Sequence, residues 1–164
     1  MFEMRSWLVN SLPKFHGRPT DDPNQHLQKF HLTVQSMKPP KVDLHLAKLK
    51  SFPFSFEDLA DDWFCHLKPG SIRSWEEMSR AFLDRYFPAS KITTLKRQIH
   101  SAKMRDNETL FEFYERFQRL LSACPPHGES DQALVQTFYE GLPLAHRTFL
   151  DATSGGALIN KTPY

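Results

Sequence analysis

The side chains able to do covalent or metal chemistry are few, and their spacing works against it. Cys65 and Cys124 lie far apart and form no CxxC pair. That excludes a Cys-rich tetrahedral zinc site within the chain and argues against a disulfide framework. His26 and His31 miss the i, i+4 spacing that puts two imidazoles on one helical face, His45 and His66 stand alone, and no HExxH occurs. Each of these histidines is expected at a surface or boundary position. Asp61 and Asp62 are adjacent, and neighbours on a helix diverge by about 100°, so they cannot readily share a proton or a cation. Cys124 precedes Pro125-Pro126 with no base placed near it by local spacing. No GxGxxG or GxxxxGK[ST] loop is present to cradle a phosphate, and no GxSxG elbow to present a serine nucleophile. The expectation is a protein that is not an enzyme, with no catalytic residue, no cofactor, no metal and no small-molecule substrate.

What remains is binding. The chain of 164 residues holds 14 Phe and 3 Trp, enough to build a core. Trp63, Trp75, Phe82, Phe113, Phe117 and Phe138 fall at helical spacing on apolar stripes, which points to core packing rather than base stacking. The strongest local basic cluster is Lys91, Lys96, Arg97, His100 and Lys103, a patch for an acidic partner or the polar face of a helix. Overall, 21 Lys and Arg against 19 Asp and Glu leave +2, too little to grip RNA more than weakly through charge. No run approaches the roughly 20 apolar residues of a membrane span. The first residues lack an apolar signal core, so a reducing, cytoplasmic setting is expected.

The elements that must carry these residues are helices. Asp22-Pro23 is an N-cap with Pro in the first turn, and Leu27, Phe30, Val34 and Met37 form one stripe before Pro39-Pro40. A shorter helix is expected from Asp43 to about Phe52. Ser55 with Asp58 predicts a third start, followed by Leu59, Ala60, Trp63, Phe64 and Leu67, and Ser74 with Glu77 a fourth. Ser90 predicts a cap for a helix carrying Ile92, Leu95 and Ile99. Thr109 with Glu112 is a capping box opening Leu110, Phe113, Tyr114, Phe117, Leu120 and Leu121, the strongest amphipathic signal. Ser130 and Pro143 open two more helices. No segment alternates with period two, so the expected fold is all-α, about eight short helices in two small lobes. The expected layout is an irregular arm over 1–20 anchored by Phe15, an N-terminal lobe over 21–100, a C-terminal lobe over 101–154 and a loose tail over 155–164. The joint is placed in the polar stretch near residues 100–107.

Several runs together resemble a known family. Phe52 to Phe64 (FPFSFEDLADDWF), Leu67 to Trp75 (LKPGSIRSW) and Phe82 to Pro88 (FLDRYFP) are similar to the gag capsid region of LTR retrotransposons, in particular plant gypsy-type elements. Glu108 to Phe117, Cys124 to Gly128, Gln136 to Leu142 and Asp151 to Gly156 follow in the same order, so the likeness spans roughly 13–162. It implies a two-lobed, retroviral capsid-like helical protein that oligomerises into a shell around the element's RNA. Met104 to Leu120 also resembles the major homology region of retroviral capsids through Glu108, Phe113 or Tyr114, and Arg116. Met104 and Arg105 stand where Gln and Gly are usual. No zinc knuckle of Cys and His is present, which implies a capsid segment without its nucleocapsid.

Physics supports the same three residues. Glu108 precedes a helix, where a carboxylate meets unpaired amides, and Arg116 follows two turns on between Phe113 and Phe117. A guanidinium there requires a carboxylate or carbonyl partner, and the pair is expected to brace the second lobe. The alternative is an exposed pair between Arg116 and Glu112. The functional expectation is self-assembly into oligomers or virus-like particles, with Leu134, Val135, Phe138 and Tyr139 as the candidate self-association segment or, equally, a helix buried in its own lobe. The competing reading is a domesticated capsid module acting as a peptide- or protein-binding adaptor.

Overall fold

The computed structural model describes residues 6–154, so Met1 to Arg5 of the expected arm and the expected tail from Gly155 onward lie outside the described residues. The described chain holds nine α-helices, a single 3-10 turn and no strand beyond one isolated bridge, as an all-α fold requires. It divides into two compact units, one up to Pro88 and one from Ala89 onward.

The first unit contains α1 (Ser6–Ser11), α2 (Pro23–Met37), α3 (Leu44–Ser51), α4 (Asp58–Cys65) and α5 (Trp75–Tyr86). The arm is less irregular than its sequence suggested. Its short apolar patch folds as α1, because Leu8 and Leu12 drop into the core, each 3% exposed. Phe15 is the expected anchor: its N–H donates to Ser55 O at 2.8 Å, its carbonyl accepts from Glu57 N at 2.9 Å, and the ring is buried. Gly17 must be glycine. Its φ is +80°, and a Cβ would sit 3.0 Å from Ala60 N.

Helix starts follow local side-chain chemistry. Asp22, Asp43 and Ser74 each accept from the amide three residues on, satisfying donors that the helix cannot pair internally. Ser55 is the exception. It lies in the 3-10 turn (Phe52–Ser55), fully buried, with its hydroxyl donating to Phe52 O, and the next helix starts three residues later without a side-chain cap. Glu57 instead precedes an Asp58 held at φ +51°. That left-handed backbone costs on the order of 1 kcal/mol. Asp58 opens the helix with its carboxylate 2.9 Å from His16 Nδ1 and 3.4 Å from Arg18 Nη2.

The core of this unit is aromatic. Phe30, Phe52 and Phe82 have no exposed surface, and Phe82 lies within 6.4 Å, centroid to centroid, of Phe15, His26, Phe52, Phe56, Trp63 and Tyr86. α3 packs on α2 and α5, closing the cluster.

The second unit contains α6 (Ala89–His100), α7 (Leu110–Ala123), α8 (Asp131–Glu140) and α9 (Leu144–Ser154). The expected layout put residues 89–100 with the first lobe. The structure divides the chain after Pro88, because Ile92, Leu95 and Ile99 of α6 pack with Phe113, Phe117, Leu121, Leu134 and Leu142. Ser90 lies inside the first turn of α6 rather than before it. The Thr109–Glu112 capping box forms in both directions, 3.1 Å and 2.9 Å.

Candidate functional site

The loop entering α7 is the most organised polar site in the second unit. Arg116 projects from the second turn of α7 back toward the segment before it. Its Nε donates to Glu108 Oε1 at 2.7 Å and its Nη2 to Glu108 Oε2 at 2.9 Å, a bidentate pair. Nη2 also donates to Lys103 O at 2.6 Å, and Glu108 Oε2 accepts from Arg105 N at 2.9 Å. The guanidinium carbon sits 5.1 Å from the centre of the Phe113 ring, which is itself fully buried. The two charged side chains are 21% and 10% exposed. The Arg116 hydrogen bond, seconded by the Arg105 amide, holds the Glu108 carboxyl at about 2, well below its ordinary 4.5. Arg116 is pushed up in turn, chiefly by the same bond.

This geometry ties residues 103–108 to α7 through one side chain. The expected partner is therefore Glu108; Glu112 is occupied in the capping box. Of the two aromatic candidates, Phe113 carries the guanidinium, while Tyr114 points outward at 36% exposure. The far end of the same loop is closed by a contact no sequence signal marks. Met104 N donates to Gly141 O at 2.8 Å, and a Cβ on Gly141 would collide with the Ala102 carbonyl oxygen and reach Phe113 Cζ at 3.0 Å. Gly141 has an ordinary negative φ, so its glycine is a matter of space rather than backbone freedom.

The segment expected to self-associate is placed otherwise. Leu134 and Val135 are buried, and Phe138 stacks on Phe113 at 4.8 Å. Tyr139 is half-buried, its hydroxyl donating to Asp151 Oδ2 at 2.6 Å. Leu134 and Phe138 thus join the core that holds Phe113 and Phe117 of α7, while Tyr139 reaches α9. Among the described residues, the exposed large hydrophobic side chains of this unit are Phe111, Tyr114, Leu144 and Phe149.

The basic cluster also separates. Lys91, Lys96 and Arg97 leave α6 in different directions, since each residue turns about 100° from the last. Lys91 and Lys96 are half-buried, whereas Arg97 and Lys103 are exposed. Lys103 belongs with Arg105 and Arg116, which the sequence did not group with it.

In the first unit Phe82 is core, with Trp63 and Trp75 packed against it, as their spacing indicated; Trp7 and Phe54 are exposed. His26 is a correction. It is 5% exposed, not a boundary residue, with Nε2 3.1 Å from Ser55 Oγ and its ring among Phe15, Phe30, Phe52 and Phe82. Burial lowers its pKa from 6.5 to about 4, with the Asp21 charge opposing. Lys48 is buried as well, its ammonium 4.8 Å from the Trp75 ring centre and 3.1 Å from His31 Nδ1. Burial pushes its pKa down against the pull of Glu76.

Cys65 is exposed, and burial pushes the Cys124 thiol up. Asp61 and Asp62 are both on the solvated face of α4. Among the described residues no group of three or more His, Cys, Asp or Glu could hold a metal ion, and no helix is long and apolar enough to cross a membrane.

Residues 11–87 match the family model described as the N-terminal capsid-like domain of the retrotransposon-derived protein PEG10. The match runs from the end of α1 through the last residues of α5, nearly the whole described first unit. That unit is thus similar to a retrotransposon-derived, gag capsid-like domain. Neither a curated protein nor a solved structure matches the chain.

Proposed function

We propose that the chain is a structural, self-associating gag capsid-like protein, of the kind encoded by gypsy-type LTR elements, that builds oligomers or virus-like particles in the cytoplasm. The match of residues 11–87 to a capsid-like domain is the observation that carries this reading. The braced loop at Glu108–Arg116 supports it, since it stiffens the second unit around α7. Support also comes from α9, where Leu144 and Phe149 are 72% and 63% exposed on a helix with no buried residue among those whose burial is described. Large apolar side chains left outward on a small unit favour burial against another copy. The decisive experiment is light scattering with electron microscopy across concentration and salt. Mass should rise with concentration, and Leu144→Glu with Phe149→Glu should hold the protein at its monomer mass. A single monomer mass over the whole range would sink the reading.

A second reading, a peptide-binding adaptor, is favoured by one feature of the first unit. Phe15 pairs its backbone with Phe56, and beside it lies an open cleft of about 360 Å³ lined by Pro13, Lys14, Gln25 and Lys29 among others. An extended ligand could lie along such a segment. An adaptor would stay monomeric at every concentration.

A further inference from the structure

The loop between α7 and α8 sets two histidines on one glutamate, and their demands are opposite. Glu129 precedes Ser130, the residue that caps α8. Its amide donates to His127 Nδ1 at 3.0 Å. Its carboxylate Oε1 lies 3.1 Å from Nε2 of His100, the last residue of α6. An imidazole nitrogen accepts a hydrogen bond only through its lone pair, so His127 is unprotonated at Nδ1. His100 meets a carboxylate at the C-terminus of a helix, a contact that gains charge when the ring takes a proton. In the first unit the two kinds stand apart. His45 meets the Glu76 carboxylate at 2.8 Å, and His31 Nδ1 faces the Lys48 ammonium at 3.1 Å. At Glu129 both kinds meet on one residue.

The loop can turn at one point. Pro125 and Pro126 fix φ in its first half, and His127 N donates to Cys124 O at 3.1 Å. Gly128 follows at φ +74°, with open space where a Cβ would stand. The clasp between His127 and Glu129 spans that glycine. The titratable and charged groups on the elements around it are few. Cys124 is buried where α7 ends, Lys96 of α6 acts on that thiol, His100 closes α6, and Asp131 opens α8.

We propose that residues 127–129 are a proton-operated joint between α7 and α8. Neutral His127 holds the Glu129 amide and keeps the loop closed. A proton at Nδ1 turns the acceptor into a second donor, so that N–H faces N–H and the clasp opens about Gly128. His100 keeps the Glu129 carboxylate on α6 in either state, more firmly once it is charged. The start of α8 is thereby released from the end of α7 while it stays tied to α6. The clasp contributes to stability while His127 is neutral and is lost as the pH falls through its titration. The Thr109–Glu112 box and the Glu108–Arg116 pair contain no histidine, so α7 itself stays as it is. The joint stands apart from self-association and does not depend on it.

The test is NMR of the backbone amides and imidazole rings of the full chain in dilute solution, stepped from about pH 8 to about pH 5. We expect the Glu129 amide proton to shift upfield in step with the His127 ring, as its hydrogen bond is lost. The Ala133 amide, which donates to Ser130 Oγ at 3.2 Å, should keep its position. His127→Asn offers a side-chain oxygen near the place of Nδ1 and takes no proton there, so Glu129 should hold its high-pH shift throughout. His127→Leu offers no acceptor, so Glu129 should sit at its low-pH shift at every pH. His100→Gln should leave the Glu129 titration in place. Amide spectra that otherwise overlay the parent show that the variants fold. A Glu129 amide that stays put while His127 titrates would overturn the joint, and that result needs no variant. So would a titration that survives in His127→Asn or vanishes in His100→Gln.

Discussion

The two units solve the same problem, holding a few short helices together, by different means. The first relies on a continuous cluster of aromatic rings around Phe82, into which one histidine is built without charge. The second has a smaller apolar core and adds a directional device, the Arg116–Glu108 pair that ties a loop to the side of α7. Apolar packing is non-directional and sensitive to volume. A bidentate ion pair is directional and sensitive to protonation. The contrast makes distinct predictions for the two units, and they can be read separately, because Trp7, Trp63 and Trp75 all belong to the first.

The largest expected effect is Phe82→Ala. Removing a ring with no exposed surface from the centre of the cluster should cost about 3–5 kcal/mol. Tryptophan fluorescence should report early melting, while hydrogen exchange in α7 keeps its parental protection. Equal loss of protection in α7 would mean that the units do not unfold separately.

Acid should part the units next. His26 is held at about 4 when folded and returns to 6.5 when unfolded, so the unfolded chain binds the extra proton. Stability is then full above pH 6.5 and falls as the pH drops toward 4, by roughly 3 kcal/mol if the whole shift is expressed. Glu108 is depressed to about 2 from 4.5, so its contribution is intact above 4.5 and fades only between 4.5 and 2. The tryptophan signal should therefore lose stability at mildly acidic pH at which the α7 amides still hold. His26→Phe should flatten the first slope if the larger ring is accommodated, and a slope unchanged by any His26 substitution would remove this account.

Gly141→Ala should cost roughly 1–3 kcal/mol in the second unit alone, through the forced separation of Ala102 from the end of α8. The Met104 amide, which donates to Gly141 O, should exchange faster than its neighbours. Arg116→Ala should have the smallest effect on melting, a few degrees, because the guanidinium is one-fifth exposed and partly screened by solvent. Its effect on assembly should be larger than its effect on stability. Unchanged melting together with unchanged assembly would dismiss the brace.

Much of the helix pattern was legible because its causes are local. Asp22, Asp43, Ser74, Thr109 and Ser130 cap the helices their spacing indicated, since a cap needs only its own side chain and an amide three residues on. Glu108 and Arg116 were legible for a related reason: eight residues separate them, and one helix start sets their distance. Ser55 read as a cap and is instead buried beneath His26, a partner 29 residues away. Spacing on α8 left open whether its apolar stripe faces its own unit or another copy; Leu134 and Val135 are buried within the chain, while Phe138 and Tyr139 keep part of their surface.

Composition and periodicity by themselves determined that this chain is helical, that the aromatic side chains on its helical stripes, such as Phe82, Phe113 and Phe117, are core, and that it carries no motif for the common phosphate-loop, serine-hydrolase or zinc chemistries. Those properties depend on residue type and on intervals of a few positions. Tertiary structure decided which unit α6 joins, which histidine is denied water, why residue 141 has no room for a methyl group, and that His100 of α6 meets Glu129. Each of these depends on distances between chain segments remote in sequence, and the strength of a charge or the cost of an atom is set by what surrounds it after folding.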